Sequence, residues 1–331
     1  MSVQEPQPAS DFNAIRLGRA QRWAARPAGF WVAVALLFLT GVLYGLSYSL
    51  TGVAIANGVP FTSFVFWMGM GGAAVSLLLS LGHGRLPPLS PKHMSSYAIA
   101  GVSGYAVPFL TVGYVSGKGV PAGIVSMLVV LSPLLTYAGA VAFRLEAIWW
   151  PRVLGFAVGI VGVALLVVPE TSLPSRDLVP WILLALLLPL GYTTTSLATA
   201  LLRPPETDSL HFSFGFFFFG SLPILAVAAA TDGWWWFEGS MDPGDWALIT
   251  AIFVQTLGIY LFVELIRFLG PVFFSTVNFV VALSGIGWGV LFFGESHSHW
   301  VWLALVCLML GVFFVIQRRR EHAAPVEDEP G

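Results

Sequence analysis

Two stretches of the sequence share one design, and this duplication constrains the fold more than any other feature. In the first stretch, an apolar run over 121–143 is followed by a short charged break and a second apolar run. A shift of 149 positions carries this pattern onto the end of the chain and places Glu146 on Glu295 and Gly162 on Gly311. Self-similarity at a single long offset indicates two copies of one structural unit.

The composition is that of a protein that lies mostly in a membrane. Of the 331 residues, 57% are hydrophobic and 10% are charged, against roughly 25% charged residues in an average soluble domain. The single cysteine, Cys307, lies within an apolar run and excludes an internal disulfide. No basic face of any size is present, so we expect a lipid bilayer and a small-molecule substrate as partners, and no nucleic acid.

Apolar runs of about 20 residues, the length that crosses about 30 Å of hydrocarbon, predict an all-α polytopic membrane protein with ten transmembrane helices. The predicted spans are 30–54, 61–81, 95–115, 121–143, 149–168, 178–202, 211–230, 246–267, 271–293 and 299–317. Polar tails at 1–29 and 318–331 flank them. The first run is too long for the apolar region of a signal peptide, which usually has 7–15 residues, so we expect it to be a span.

The distribution of Lys and Arg predicts the orientation. With both termini in the cytoplasm, thirteen of these residues lie on the inner side, and only Lys118 and Arg176 lie on the outer side. Short cytoplasmic loops accumulate Lys and Arg, so this arrangement is the expected one for an inner (plasma) membrane. Five spans per copy is an odd number, so the second copy must be inverted relative to the first. Inverted repeats with a site between them near the midplane are typical of secondary transporters.

Motifs in both copies resemble the EamA domain of the drug/metabolite transporter superfamily. They include Ala122–Gly123–Ile124–Val125–Ser126, Ser132–Pro133–Leu134, Glu146 and Gly159 to Val163 in the first copy, and Leu269–Gly270–Pro271 and Gly294–Glu295 in the second. The resemblance implies two EamA repeats, at 30–168 and 178–317. It also implies a central cavity surrounded by helices 1–4 and 6–9, with helices 5 and 10 peripheral and available for a homodimer contact.

One departure from the family pattern concerns the substrate. Many members have an arginine in the second span, where this chain reads Phe66–Trp67–Met68–Gly69. An anionic-substrate site therefore does not carry over to this chain.

Polar side chains within the spans are the candidates for the substrate site, because in hydrocarbon they must face a partner or water. The substrate-binding candidates are Tyr44, Tyr48, Trp67, Tyr105, Tyr192, Thr195, Gln255, Tyr260 and Asn278. Contacts between helices are the alternative explanation for each of them.

Glu264 is the candidate for coupling transport to protons. An ionisable side chain within a span costs about 2.5–3.5 kcal/mol at the helix centre, which makes it a functional hypothesis by default. Arg267 lies three residues further along the same helix face, so a structural ion pair is the alternative. We expect no metal site and no cofactor. No phosphate-binding loop is present, which excludes an ATP-driven pump built from this chain alone.

These features predict a secondary transporter that exports a small metabolite, an amino acid or a similar amphipathic solute, by alternating access. A nucleotide-sugar or drug carrier of the same superfamily is one alternative. An integral membrane enzyme acting on a lipid or lipid-linked group is another. It would need a cluster of His, Asp or Glu near one membrane face, and the sequence supplies no obvious one, so we do not expect an enzyme.

Overall fold

The described part of the chain is helical throughout. The structure, a computed structural model, describes residues 27–120, 124–125, 128–144, 148–167, 175–205, 207–231, 234–236, 241–293 and 298–316, and its regular elements in these ranges are all helices. Among the described residues, six helical spans are long and apolar enough to cross a membrane, and two of them, Pro91–Gly117 and Arg176–Leu202, each contain more than one helical segment. The prediction of an all-helical polytopic membrane protein is therefore confirmed for these residues.

The first half of the chain contains six labelled helices and two short irregular segments. The helices are α1 (Pro27–Ala56), α2 (Phe61–Gly82), α3 (Pro91–Gly101), α4 (Val107–Gly117), α5 (Ser132–Ala142) and α6 (Trp150–Val167). A π-helical segment, Val102–Ala106, joins α3 to α4, and a 3₁₀ turn, Val129–Leu131, leads into α5.

The second half begins with a 3₁₀ turn at Arg176–Leu178. The labelled helices that follow are α7 (Val179–Leu184), α8 (Leu187–Leu202), α9 (Ser209–Ala230), α10 (Pro243–Leu269), α11 (Pro271–Phe274), α12 (Val277–Phe293) and α13 (His299–Ile316). Two-residue turns separate α7 from α8 and α11 from α12.

Both ends of α10 follow from local sequence. Asp242 and Asp245 form a reciprocal capping box in which each side chain accepts the other residue's backbone N–H at 2.9 Å. Pro243 then occupies the first helical turn, where its missing N–H costs nothing. Gly270 ends the helix with a φ of 80°, which favours glycine. The helix therefore begins three residues before the predicted boundary at 246.

Most of the extensive contacts join a helix of the first half of the chain to a helix of the second half. The most extensive contact is between α6 and α13, followed by α2 with α9. Helix α1 packs against α10 and α12, while α8 packs against α5 and against the segment formed by α3, the π turn and α4. Each half of the chain therefore contributes helices that pack mainly against the other half.

Glycine allows α6 and α13 to approach each other closely. A Cβ atom on Gly311 of α13 would lie 2.7 Å from the carbonyl oxygen of Gly155 and 3.0 Å from the nitrogen of Gly159, both in α6. The two backbones are therefore in direct contact, as small residues permit in membranes. The Gly155/Gly159 pair thus serves packing within the chain.

We predict that Gly311→Ala lowers the thermal unfolding midpoint of the detergent-purified protein. The added methyl group meets backbone atoms that cannot move aside, and such overpacking costs typically 1–3 kcal/mol. Gly287→Ala in α12 is the matched control, because no atom of the described residues lies within 4 Å of a Cβ there. A midpoint for Gly311→Ala equal to or above that of Gly287→Ala would contradict the close contact.

Candidate functional site

Three breaks in helical geometry meet in the middle of the helix bundle. They are the π segment before α4, the 3₁₀ turn before α5 and the turn between α11 and α12. Non-helical backbone at membrane depth is tolerated where it is buried in protein or lines a cavity. Each of these breaks borders the same cavity, through Gly104, Val129 and the pair Phe274 and Val277.

Hydroxyl side chains bond to backbone carbonyls at these breaks. Ser132 donates to the carbonyl of Val129 at 2.7 Å, and Ser275 donates to that of Val272 at 2.6 Å. Ser103 donates to the carbonyl of Ile99 at 2.6 Å beside the π segment. These bonds satisfy carbonyls next to the points where the regular helical ladder is interrupted.

The cavity at these breaks has about 690 Å³ of empty space, including its opening. Helices of both halves of the chain surround it. Its polar lining consists of phenol, hydroxyl and amide side chains, and its other lining residues are glycine, aliphatic and phenylalanine. The polar members are Tyr44, Ser47, Tyr192, Thr195, Ser196, Gln255 and Asn278. Among the described residues that line it, none is Asp, Glu, Lys, Arg or His.

Two amide groups face this cavity with hydrogen-bonding capacity to spare. Ser47 of α1 donates to the Oε1 atom of Gln255 in α10 at 3.1 Å, which leaves the Nε2 group without a hydrogen bond among the described residues. The Asn278 side chain, 8% exposed, makes no hydrogen bond to the described residues. A buried amide without a partner is costly, so these groups are suited to bind a polar solute.

Five of the nine substrate-binding candidates lie together at this cavity. Tyr44, Tyr192, Thr195, Gln255 and Asn278 come from four helices and converge on one volume. The Thr195 hydroxyl donates to the carbonyl of Ala100 at 2.9 Å, so this residue also joins α8 to α3.

Two other candidates lie elsewhere and bond to backbone atoms. The Tyr105 hydroxyl is fully buried and donates to the carbonyl of Val65 at 2.6 Å. The Trp67 indole N–H donates to the carbonyl of Trp235 at 3.0 Å and stacks edge-on against Trp236. The structure therefore places Tyr105 and Trp67 in contacts between segments of the chain, outside the cavity lining.

The substrate-binding candidate Tyr260 and the coupling candidate Glu264 lie at a second pocket. Their helix, α10, turns its Gln255 face to the central cavity and the Tyr260 face away from it. Glu264 accepts a hydrogen bond from Ser209 and pairs with Arg267 at 3.5 Å. Helix α1 contains Tyr48, whose side chain lies outside the described part of the structure.

The second pocket contains charged side chains and lies at the ends of α2, α9 and α10. Burial lowers the pKa of nearby Arg203 from its ordinary value, and Arg267 acts in the same direction, whereas Glu264 and Asp208 oppose the shift. Arginine nevertheless stays charged in proteins. Several opposite charges therefore lie close together at this end of the bundle.

Sequence reasoning missed the apolar part of the cavity lining. Phe109, Phe216, Phe262 and Phe274 form much of its wall. In a chain with 26 phenylalanines, residue type alone does not separate a cavity wall from a packing contact or a lipid-facing side chain.

These observations define a polytopic membrane protein with a cavity at broken helices in the middle of its bundle. The model of the EamA-like transporter family matches residues 31–168 and 179–317. The chain therefore belongs to the EamA-like transporter family. This confirms the resemblance found in the sequence and places the chain among transporters of the drug/metabolite transporter superfamily.

Solved structures support the fold. One crystal structure matches with a TM-score of 0.57 and 19% sequence identity, over 85% of this chain and 95% of the other. At that identity the likeness concerns the fold alone. No curated protein is similar enough to count as a match.

We predict that Trp67→Phe increases the rate at which chymotrypsin cleaves at Trp234–Trp236 in the folded protein. The substitution keeps an aromatic ring but removes the N–H donor to Trp235, a bond worth about 1 kcal/mol. A loss of that size raises the open population about fivefold. Trp246→Phe is the control, because Trp246 is 58% exposed. Equal cleavage rates in the two variants would show that the bond does not hold this segment.

Proposed function

We propose that the protein is a ten-helix secondary transporter that exports a small amphipathic metabolite, such as an amino acid, across the inner membrane by alternating access. Both termini would lie in the cytoplasm. The observation that carries this proposal is the central cavity, which lies at broken helices and is lined from both halves of the chain by described residues that carry no charge. Transporters commonly place their substrate site at discontinuous helices near the midplane, between two repeats.

The packing pattern supports two repeats related by a two-fold axis. In the two repeats, α1 corresponds to the α7–α8 segment, the α3–α4 segment corresponds to α10, and α5 corresponds to the α11–α12 segment. The contacts of α1 with α10 and α12 then become the observed contacts of α8 with the α3–α4 segment and with α5. The α2–α9 and α6–α13 pairs map onto themselves. An inverted repeat would give this pattern.

The lining favours a solute without net charge. A charged solute would lose its hydration on entering the cavity, and no opposite charge among the described lining residues would replace it. The amides of Gln255 and Asn278 offer both donors and acceptors, and the phenylalanines of the wall offer an apolar surface. An amino acid zwitterion or a similar amphipathic molecule has the matching mixture of polar and apolar groups.

Counterflow tests this function directly. The purified protein is placed in liposomes loaded with a mixture of unlabelled amino acids, and labelled amino acids are added outside one at a time. Accumulation of label above that in protein-free vesicles would support the proposal and name the substrate class. If neither amino acids nor a wider panel of small metabolites accumulate, the proposal fails.

We predict that Asn278→Leu and Gln255→Leu each reduce counterflow about tenfold or more. Each substitution removes an amide that faces the cavity. A polar group of the bound solute then has no hydrogen-bond partner, and such a loss weakens binding strongly. Asn57→Leu is the matched control, since Asn57 is exposed beyond the end of α1. Wild-type counterflow in both cavity variants, with protein correctly inserted, would exclude this cavity as the transport route.

We further propose Glu264 as the coupling residue, because its carboxylate connects α10 to the start of α9 through Ser209. We predict that Glu264→Gln preserves counterflow but abolishes the acceleration of transport by an imposed pH gradient. The amide keeps an acceptor for Ser209 and loses the ability to titrate. Asp177→Asn, at an exposed acid, is the control. Retained acceleration in Glu264→Gln would assign coupling to another group.

A further inference from the structure

The second pocket combines opposite charges in a way that the central cavity does not. It has about 670 Å³ of empty space and lies where α2 ends, α9 begins and α10 passes by. Asp208 and Glu264 contribute carboxylates, while Arg85 contributes a guanidinium and His83 an imidazole. A purely cationic ligand would meet Arg85, and a purely anionic ligand would meet the two carboxylates. A ligand that carries both charges matches the whole pocket.

Two charged groups of this pocket, the Asp208 Oδ2 atom and the Arg85 guanidinium, make no hydrogen bond to the described residues. Asp208 uses its Oδ1 atom to accept the backbone N–H of His211 at 2.8 Å, and the same atom lies 3.3 Å from Nδ1 of the His211 ring. Its Oδ2 atom makes no hydrogen bond to the described residues. The Arg85 guanidinium makes neither an ion pair nor a hydrogen bond with described residues. An acceptor and a donor of opposite charge therefore remain available to a ligand at one pocket.

The surface beside the pocket is apolar and exposed. Phe253, Leu257 and Tyr260 follow one another at four- and three-residue spacing on α10, which places them on one helix face. Glu264 continues the same stripe. All three of these aromatic and aliphatic side chains are exposed in the structure, so in a bilayer they face acyl chains. The stripe therefore runs from a lipid-facing surface into the charged pocket.

From this arrangement we propose that the pocket binds a membrane lipid with a zwitterionic headgroup that carries a primary ammonium and a phosphate, as in phosphatidylethanolamine. The ammonium donates hydrogen bonds to Asp208 and Glu264, and the phosphate lies against Arg85. An acyl chain packs along Phe253, Leu257 and Tyr260. The excess of Lys and Arg at this end of the bundle places the lipid in the cytoplasmic leaflet. This site is separate from the central cavity and does not require a particular transported solute.

Native mass spectrometry of the detergent-purified full chain tests this proposal. The protein is offered equal amounts of phosphatidylethanolamine, phosphatidylcholine and phosphatidylglycerol with identical acyl chains. Phosphatidylcholine has a quaternary ammonium without N–H donors, and phosphatidylglycerol has no ammonium. We expect phosphatidylethanolamine to be retained several-fold more than either. Equal retention of the three lipids would overturn the proposal without the use of any variant.

Variants locate the site. Asp208→Asn keeps a good N-cap for α9 and removes the charge, and Arg85→Gln removes the facing cation. Each should reduce retention of phosphatidylethanolamine about three- to fivefold, the effect of losing one partly exposed charged contact. Lys92→Gln, at an exposed base near the start of α3, is the matched control. If both pocket variants retain phosphatidylethanolamine at the wild-type level, the proposed location is wrong.

A competition arm distinguishes a lipid from a free solute with the same headgroup chemistry. Glycerophosphoethanolamine, which has no acyl chains, is added at the concentration of the lipid. We expect it to leave the lipid bound, because the stripe on α10 contributes to binding. Displacement at equal concentration would overturn the lipid assignment and make the pocket a site for a small zwitterion.

Discussion

The structure depends on one constraint: in hydrocarbon, each backbone N–H and C=O must find a partner within the protein or in a water-filled cavity. Continuous helices without an internal proline, such as α2 and α10, meet it along their whole length. The chain departs from it at the π segment and at the turns before α5 and α12, and these breaks border the central cavity. Hydroxyls of Ser132 and Ser275 bond to the carbonyls nearby. The cavity thus lies where the helical ladder is interrupted.

The two cavities differ in the kind of polar side chain that lines them. The central cavity offers hydroxyl, phenol and amide groups, and the charged side chains of Glu264, Asp208 and Arg85 lie at the end of the bundle. Helix α10 connects the two, since Gln255 and Tyr260 lie on different faces of it. A movement of α10 relative to α9 would alter the central cavity and the Ser209–Glu264 contact together. We propose that this connection allows Glu264 to influence transport from outside the central cavity.

The sequence predicted the fold class and the family, because apolar runs and the repeated acidic turn leave few alternatives. It predicted part of the cavity for a related reason, since polar groups such as Gln255 and Asn278 are expensive to expose to lipid. The same rule also selected Tyr105 and Trp67, which bond to backbone carbonyls outside the cavity lining, because a backbone carbonyl satisfies a polar side chain as well as a cavity does. Tyr260 lies on the face of α10 that points away from the central cavity. Which face of a helix points to the cavity depends on the packing of neighbouring helices, and a single sequence does not specify that packing.

Alternating access requires the central cavity to open in turn to the two sides of the membrane. Replacing Cys307, the single cysteine, and introducing Ser196→Cys in the cavity lining allows a membrane-impermeant thiol reagent to be applied from either side of oriented vesicles. We predict labelling from both sides, and protection from both sides by a saturating transported solute. Labelling from one side only, unchanged by any transported solute, would contradict alternating access through this cavity.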